Sequence, residues 1–268
     1  MASLSRWRSS RFIGALALLA LGGCATPSRQ GDAFIVAGRH VQTGTRVVTW
    51  LDAGGLDAYR TARVDESGAP ESFGARRATD GKAIAAGDDS AVLGVVDQIV
   101  LHYDGFGNSR ECFEHLAERQ LSAHFLIDVD GTVYQTLDLQ ERAYHATVAN
   151  NRSIGIEIAN VGAFPAEGDL SALPPGDVIR GTVHRIELVQ PGFTATQYAA
   201  LAKLIDALCR TFPRLERDYP RDAAGEIVLS NLPDDALANF RGVLGHFHIQ
   251  ENKVDPGPAF QWKLIFKR

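Results

Sequence analysis

The stretch VVDQIVLHY, Val95 to Tyr103, decides how the rest of the chain is read. Its density of β-branched and apolar residues is that of a strand buried in the middle of a sheet, and it ends on a histidine and a tyrosine. A second run of the same kind, SIGIEIA at 153–159, puts Ile154, Ile156 and Ile158 on one face and Gly155, Glu157 and Ala159 on the other. Between the two, Asn108 opens a helical pattern. Glu111 follows it at capping-box spacing, which predicts a helix to about Gln120. HFLIDVDGTVYQTL (124–137) reads as a hairpin turning at Asp130-Gly131. Thr194 opens a clearer helix. Gln197 completes a capping box, Phe193 and Tyr198 are spaced as a hydrophobic staple, and Ala200, Leu201, Leu204, Ile205 and Leu208 form the apolar stripe. VLGHFHI (243–249) reads as a further short strand with His246 and His248 on one face, and Phe260 and Trp262 read as core. This order of elements predicts an α/β domain, a central mixed β-sheet flanked by helices, over residues 95–268.

Outward from this domain the pattern is weaker. The chain has 268 residues, of which 45% are hydrophobic and 22% charged, enough for one large domain with a sizeable core. Its formal net charge of -5, with no basic face, gives no sign of a nucleic-acid partner. At the start, Arg6, Arg8 and Arg11 precede FIGALALLAL (12–21). That run is too short for a permanent membrane helix and has the length of a signal-peptide apolar region. Leu21-Gly22-Gly23-Cys24 closes it and resembles a bacterial lipobox; an ordinary signal peptide with a chance cysteine is the alternative. The expectation is a signal peptide over 1–24, lipidation at Cys24, and, since Ala25 rather than Asp follows, a place on the periplasmic face of the outer membrane, attached by the lipid anchor.

Residues 25–33 read as a tether, 34–94 as an N-terminal extension wrapped on the main domain, 161–193 as an elaborated loop that shapes the groove, and 213–240 as a polar loop. Cys112 and Cys209 allow either a disulfide in an oxidising compartment or two buried thiols.

Several residues bear chemistry. His102 ends an apolar strand, His246 and His248 sit two apart, Asp255 follows before Pro-Gly-Pro, and Glu157 stands between isoleucines. Two histidines and a carboxylate with one open position make a catalytic zinc arrangement, and a neighbouring glutamate can serve as general base. Spacing alone leaves open that these histidines are structural.

Five segments occur in order: IVLHYDG (99–105), SAHFLIDVDGTVYQ (122–135), RAYHAT (142–147), NRSIGIEIAN (151–160) and GHFHIQENKVDPGPAF (245–260). Together they resemble type-2 N-acetylmuramoyl-L-alanine amidases, a family that includes peptidoglycan recognition proteins and a phage lysozyme of amidase activity. The resemblance covers roughly 95–165 and 194–263. It implies zinc held by His102, His246 and Asp255, with His246 preferred to His248 because the family's ligand follows a glycine. Asp255 resembles the bacterial branch, where others carry cysteine. The resemblance further implies Glu157 as general base and Lys253 as the cation that stabilises the developing oxyanion. The tyrosine that the recognition proteins use is replaced here by Ala123. Tyr103, Tyr144 and His145 resemble positions lining the substrate groove. The implied activity is cleavage of the bond between N-acetylmuramic acid and L-alanine in peptidoglycan or its fragments. A lipoprotein that binds peptidoglycan without cutting it is the alternative. A hydrolase of another amide is a third reading.

Overall fold

The described chain, residues 31–266 of this computed structural model, begins with short pieces: β1 (Ala33–Val36), β2 (Arg39–Gln42), β3 (Val47–Thr49), α1 (Ala58–Thr61), β4 (Phe73–Ala75) and α2 (Asp89–Val95). The apolar stretch 95–103 supplies the next strand, β5 (Gln98–Tyr103). After it come α3 (Ser109–Glu118), the hairpin strands β6 (Phe125–Ile127) and β7 (Val133–Gln135), β8 (Glu141–Ala143) and β9 (Ser153–Ile158). The C-terminal part holds β10 (Phe164–Pro165), β11 (Val178–Val183), β12 (Ile186–Pro191), α4 (Ala195–Thr211), α5 (Asp234–Asn239), β13 (Gly242–Gly245) and α6 (Trp262–Phe266). The expected signal peptide, Cys24 and tether residues 25–30 lie outside the described residues. Among the described residues no helix is long and apolar enough to cross a membrane.

The six strands of the main sheet run in the order β13-β5-β9-β6-β7-β3. The pairings β13–β5, β5–β9, β9–β6 and β7–β3 are parallel and the hairpin β6–β7 is antiparallel, so the sheet is mixed as expected. One face carries Ile99, Leu101, Phe125, Ile127, Ile154, Ile156 and Ile158, all buried in a cluster with Leu201, Leu204, Ile205 and Leu208 of α4. Each such aliphatic side chain contributes about 1.5–3 kcal/mol on burial. On the other face, Cys112 and Leu116 of α3 pack on Leu126, and Val100 packs on Ala146 and Ala149. Both long helices start where the sequence placed them. The Asn108 side chain accepts from the N–H groups of Arg110 and Glu111. Thr194 and Gln197 close a reciprocal capping box.

Two expectations are corrected, and the alternatives left open for the cysteines are decided. Residues 161–193 are not an irregular loop but a small antiparallel sheet, order β10-β12-β11. Its strands expose much of their length, which hides the apolar alternation. The strand expected over 243–249 stops at Gly245, and His246–His248 form a 3-10 turn closed by the Gly245 N–H, which donates to His248 Nδ1. His248 therefore turns away from His246, with Nε2 2.8 Å from the Val228 carbonyl. Cys112 and Cys209 are both free thiols, one buried and one half-buried.

The extension is part of the same core. Phe34, Val36, Val47 and Val92 join the α4 cluster, β3 extends the main sheet beside β7, and β4 pairs with β8. Arg76 is fully buried. Its guanidinium donates to the carbonyls of Leu139, Asn150, Asn151 and Ser153. Beside it, His124 Nδ1 accepts from the Gly155 N–H, so the ring proton sits on Nε2 and faces the Glu141 carbonyl at 3.0 Å. Arg76→Ala strips partners from several buried carbonyls, and urea unfolding should register a loss of roughly 3 kcal/mol or more.

Burial, reinforced by Arg76, pushes the His124 pKa down to about 3. The unfolded chain titrates near 6.5. Between these values the unfolded state binds a proton that the folded state refuses, so stability falls as pH drops through that window and is untouched above it. In His124→Gln the stability–pH slope between about pH 6 and 4 should be shallower by up to about 1.4 kcal/mol per unit. An unchanged slope would take His124 out of the acid response.

Candidate active site

The site grows from one rung of the sheet. His102 and Glu157 are register partners on β5 and β9, near the C-terminal ends of both strands. Parallel partners leave the sheet on the same side, with strands about 4.8 Å apart. Both side chains reach a cleft of about 340 Å³. Residues of helix α3, Arg119, Leu121, Tyr144, His145, His246 and the 252–255 segment line it with them.

The remaining two candidate ligands come from one local turn. After β13, the 3-10 turn delivers His246. The chain then doubles back, so that the Phe247 N–H donates to the Asp255 carbonyl. Gly245 permits the close return: a Cβ there would lie 2.8 Å from both the Phe247 ring and Pro256 Cδ. As a result His246 Nδ1 sits 3.1 Å from Asp255 Oδ2, and His102 Nδ1 sits 2.7 Å from the same oxygen. Donor atoms of His102, His246 and Asp255 all lie within 4.8 Å of one another, and the three residues are buried.

The protons test whether a metal fits. His246 Nε2 lies 2.7 Å from Gln250 Oε1, which can only accept, so Nε2 carries the proton. Nδ1 is then the nitrogen that faces the Asp255 oxygen, and a proton or a metal cation can stand between the two. Burial pushes the His102 pKa down, Asp255 notwithstanding, which favours the neutral ligating ring. Burial opposes the Asp255 carboxylate, yet the charge and N–H groups of the facing His246 and His102 rings hold it well below the usual range, as a metal cation between them would. Two imidazole nitrogens and a carboxylate oxygen brought together, one imidazole oriented by an outer hydrogen bond, form a donor set that suits zinc.

Glu157 and Lys253 line the same cleft. Burial pushes Glu157 well above the usual carboxylate range. Asp255 and Asp104 add to this, and Lys253 works against it. Arg152 is no partner of Glu157; its guanidinium goes to Asp97. Tyr103, Tyr144 and His145 all line the cleft. Ala123 is buried away from its lining. The 161–193 sheet does not line it either, touching it only indirectly where Gly162 backs the Tyr103 ring.

Sequence reading missed two groups. Gln250, one helical turn beyond His246, was findable from the i, i+4 spacing. Asp104 lines the cleft, and its Oδ1 accepts from the N–H groups of Phe106, Gly107 and Asn160, leaving Oδ2 unpartnered. It carried no signal beyond its place after His102-Tyr103.

Fold and site together define a mixed α/β domain with a two-histidine, one-carboxylate metal centre at the end of its central strands. The sequence model of the N-acetylmuramoyl-L-alanine amidase family matches residues 93–258, and the chain belongs to that family. It is 27% identical over 164 residues to the 1,6-anhydro-N-acetylmuramyl-L-alanine amidase AmpD of Citrobacter freundii, covering 58% of this chain and 60% of that protein. It is 25% identical over 152 residues to AmpD of Haemophilus influenzae, covering 56% and 60%. The chain thus spans about 60% of the length of the curated relatives it matches. Among solved structures it is similar to AmpDh3 from Pseudomonas aeruginosa in complex with anhydromuramic pentapeptide, with 22% identity, coverage of 64% and 58%, and a TM-score of 0.44.

Removing one ligand should remove the metal and little else. Asp255→Asn is expected to fold yet take up no stoichiometric zinc. Added zinc should raise the melting temperature of stripped wild-type protein but not of the variant.

Proposed function

We propose that this protein hydrolyses the amide bond between N-acetylmuramic acid and L-alanine in peptidoglycan or its fragments. The observation that carries the reading is the convergence of His102 Nδ1 and His246 Nδ1 on one Asp255 oxygen, in a cleft shared with Glu157 and Lys253. Family membership supports the same bond.

Zinc at such a centre acidifies a bound water and polarises a carbonyl. The chain supplies the rest. Glu157, one strand from His102, takes a proton from the attacking water and returns it to the departing alanine amine. The burial that raises its pKa suits a group that must both accept and give. Lys253 brings a positive charge to the wall where negative charge develops on the carbonyl oxygen. Tyr103 and Tyr144 flank the cleft as substrate contacts. Helix α3 and the 252–255 segment narrow the cleft and exclude water around the reacting bond.

The location proposed with this function is the periplasmic face of the outer membrane, through a lipid on Cys24. The basic start, the short apolar run and the Leu-Gly-Gly-Cys sequence support it. Labelled palmitate should enter the wild-type protein in cells and not Cys24→Ser.

Purified protein should release L-alanyl peptides from sacculi or muropeptides, stop in the presence of a chelator, and recover with zinc. A protein that binds sacculi but releases nothing would reduce the reading to recognition alone. Lys253→Ala is expected to keep its zinc and lose about 100- to 1,000-fold in kcat. Wild-type turnover in that variant would remove Lys253 from the mechanism.

A further inference from the structure

We infer that His145 is a positioning residue for the zinc ligand His102, holding its ring by the outer nitrogen so that Nδ1 is the one presented to the metal. The inference rests on the metal reading above. His145 Nδ1 lies 3.1 Å from His102 Nε2, and His145 Nε2 lies 3.2 Å from Ser153 Oγ. The two rings stand edge-on, 88° apart. With zinc on His102 Nδ1, that ring's proton must be on Nε2, where it donates to His145 Nδ1. The His145 proton is then on Nε2 and is donated to Ser153 Oγ. The opposite order would put a proton on His102 Nδ1 and block the metal. Ser153, His145 and the metal thus select one another's proton positions.

The backbone is built for this ring. Asn150 Oδ1 accepts from the N–H groups of His145 and Ala146 and pins the turn that carries it. Gly155 leaves the space in which the ring lies: a Cβ at that position would come within 2.6 Å of His145 Cγ and 2.8 Å of its Nδ1. Alternate residues of β9 therefore have distinct duties toward one centre. Ser153 anchors the histidine, Gly155 makes room for it, and Glu157 faces the reaction. A histidine needed only to touch substrate would require neither the inward bond to His102 nor the outer one to Ser153.

The test measures zinc affinity by competition with a chromophoric chelator, alongside the melting temperature of the stripped protein and kcat and KM for peptide release. His145→Ala should weaken zinc binding by roughly 10- to 100-fold. His145→Asn, whose side-chain oxygen stands near the place of Nδ1, should recover most of that loss. Gly155→Ala should weaken zinc binding when His145 is present and add nothing in the His145→Ala background, the coupling expected of two residues acting through one ring. If His145→Ala does not fold, Gly155→Ala and His145→Asn still decide. Wild-type zinc affinity in His145→Ala or Gly155→Ala, with only KM raised, would make His145 a substrate contact and overturn the inference. Wild-type protein that takes up no zinc would overturn the metal reading itself, a separate failure visible before any variant is made.

Discussion

The parallel register of β5 and β9 sets His102 and Glu157 on one rung, and the rest of the site is arranged around that rung. A strand alternates faces with each residue, so a slip of one position would carry Glu157 into the apolar layer beneath α4 and turn an isoleucine into the cleft. What prevents the slip lies on the opposite side of the sheet. Ile154, Ile156 and Ile158 interlock with α4, and moving any of them outward would cost the burial that stabilises the domain. The hydrophobic core thus fixes the chemistry by fixing which way an odd-numbered residue points.

Acidic groups outnumber basic ones in the cleft. Asp255, Glu157 and Asp104 are carboxyl groups in one partly buried space, and Lys253 and Arg119 are the cations that line it. A divalent cation held by the two imidazoles and Asp255 would add positive charge to this space and favour the ionised form of Glu157 against the burial that opposes it.

Much of this was legible in the sequence, and the reasons differ by residue. The two central strands announced themselves because a strand buried on both faces has no polar alternation to confuse it. The two long helices carried their own start signals in Asn108 and in Thr194 with Gln197. The pairing of His246 with Asp255 was readable only through resemblance, because nothing in the spacing says that the chain turns back after a 3-10 turn. For the same reason the apparent strand through His248 was an error of period: two histidines at i and i+2 mimic one face of a strand, while a hydrogen bond from Gly245 to His248 bends the chain instead. The extension and the 161–193 sheet were illegible because their strands are short, often exposed, and take their order from distant partners rather than from their own pattern.

Arg76 has a consequence for anyone who would cut the protein down. Its guanidinium satisfies carbonyls of 139–153, the segment that carries Tyr144 and His145 and opens β9. A minimal domain trimmed to the family-matched residues 93–258 would leave those oxygens facing a void where a cation had been. Grafting this fold onto another scaffold therefore means transplanting a piece of the extension as well, or redesigning that wall so that water or a new side chain takes the arginine's place.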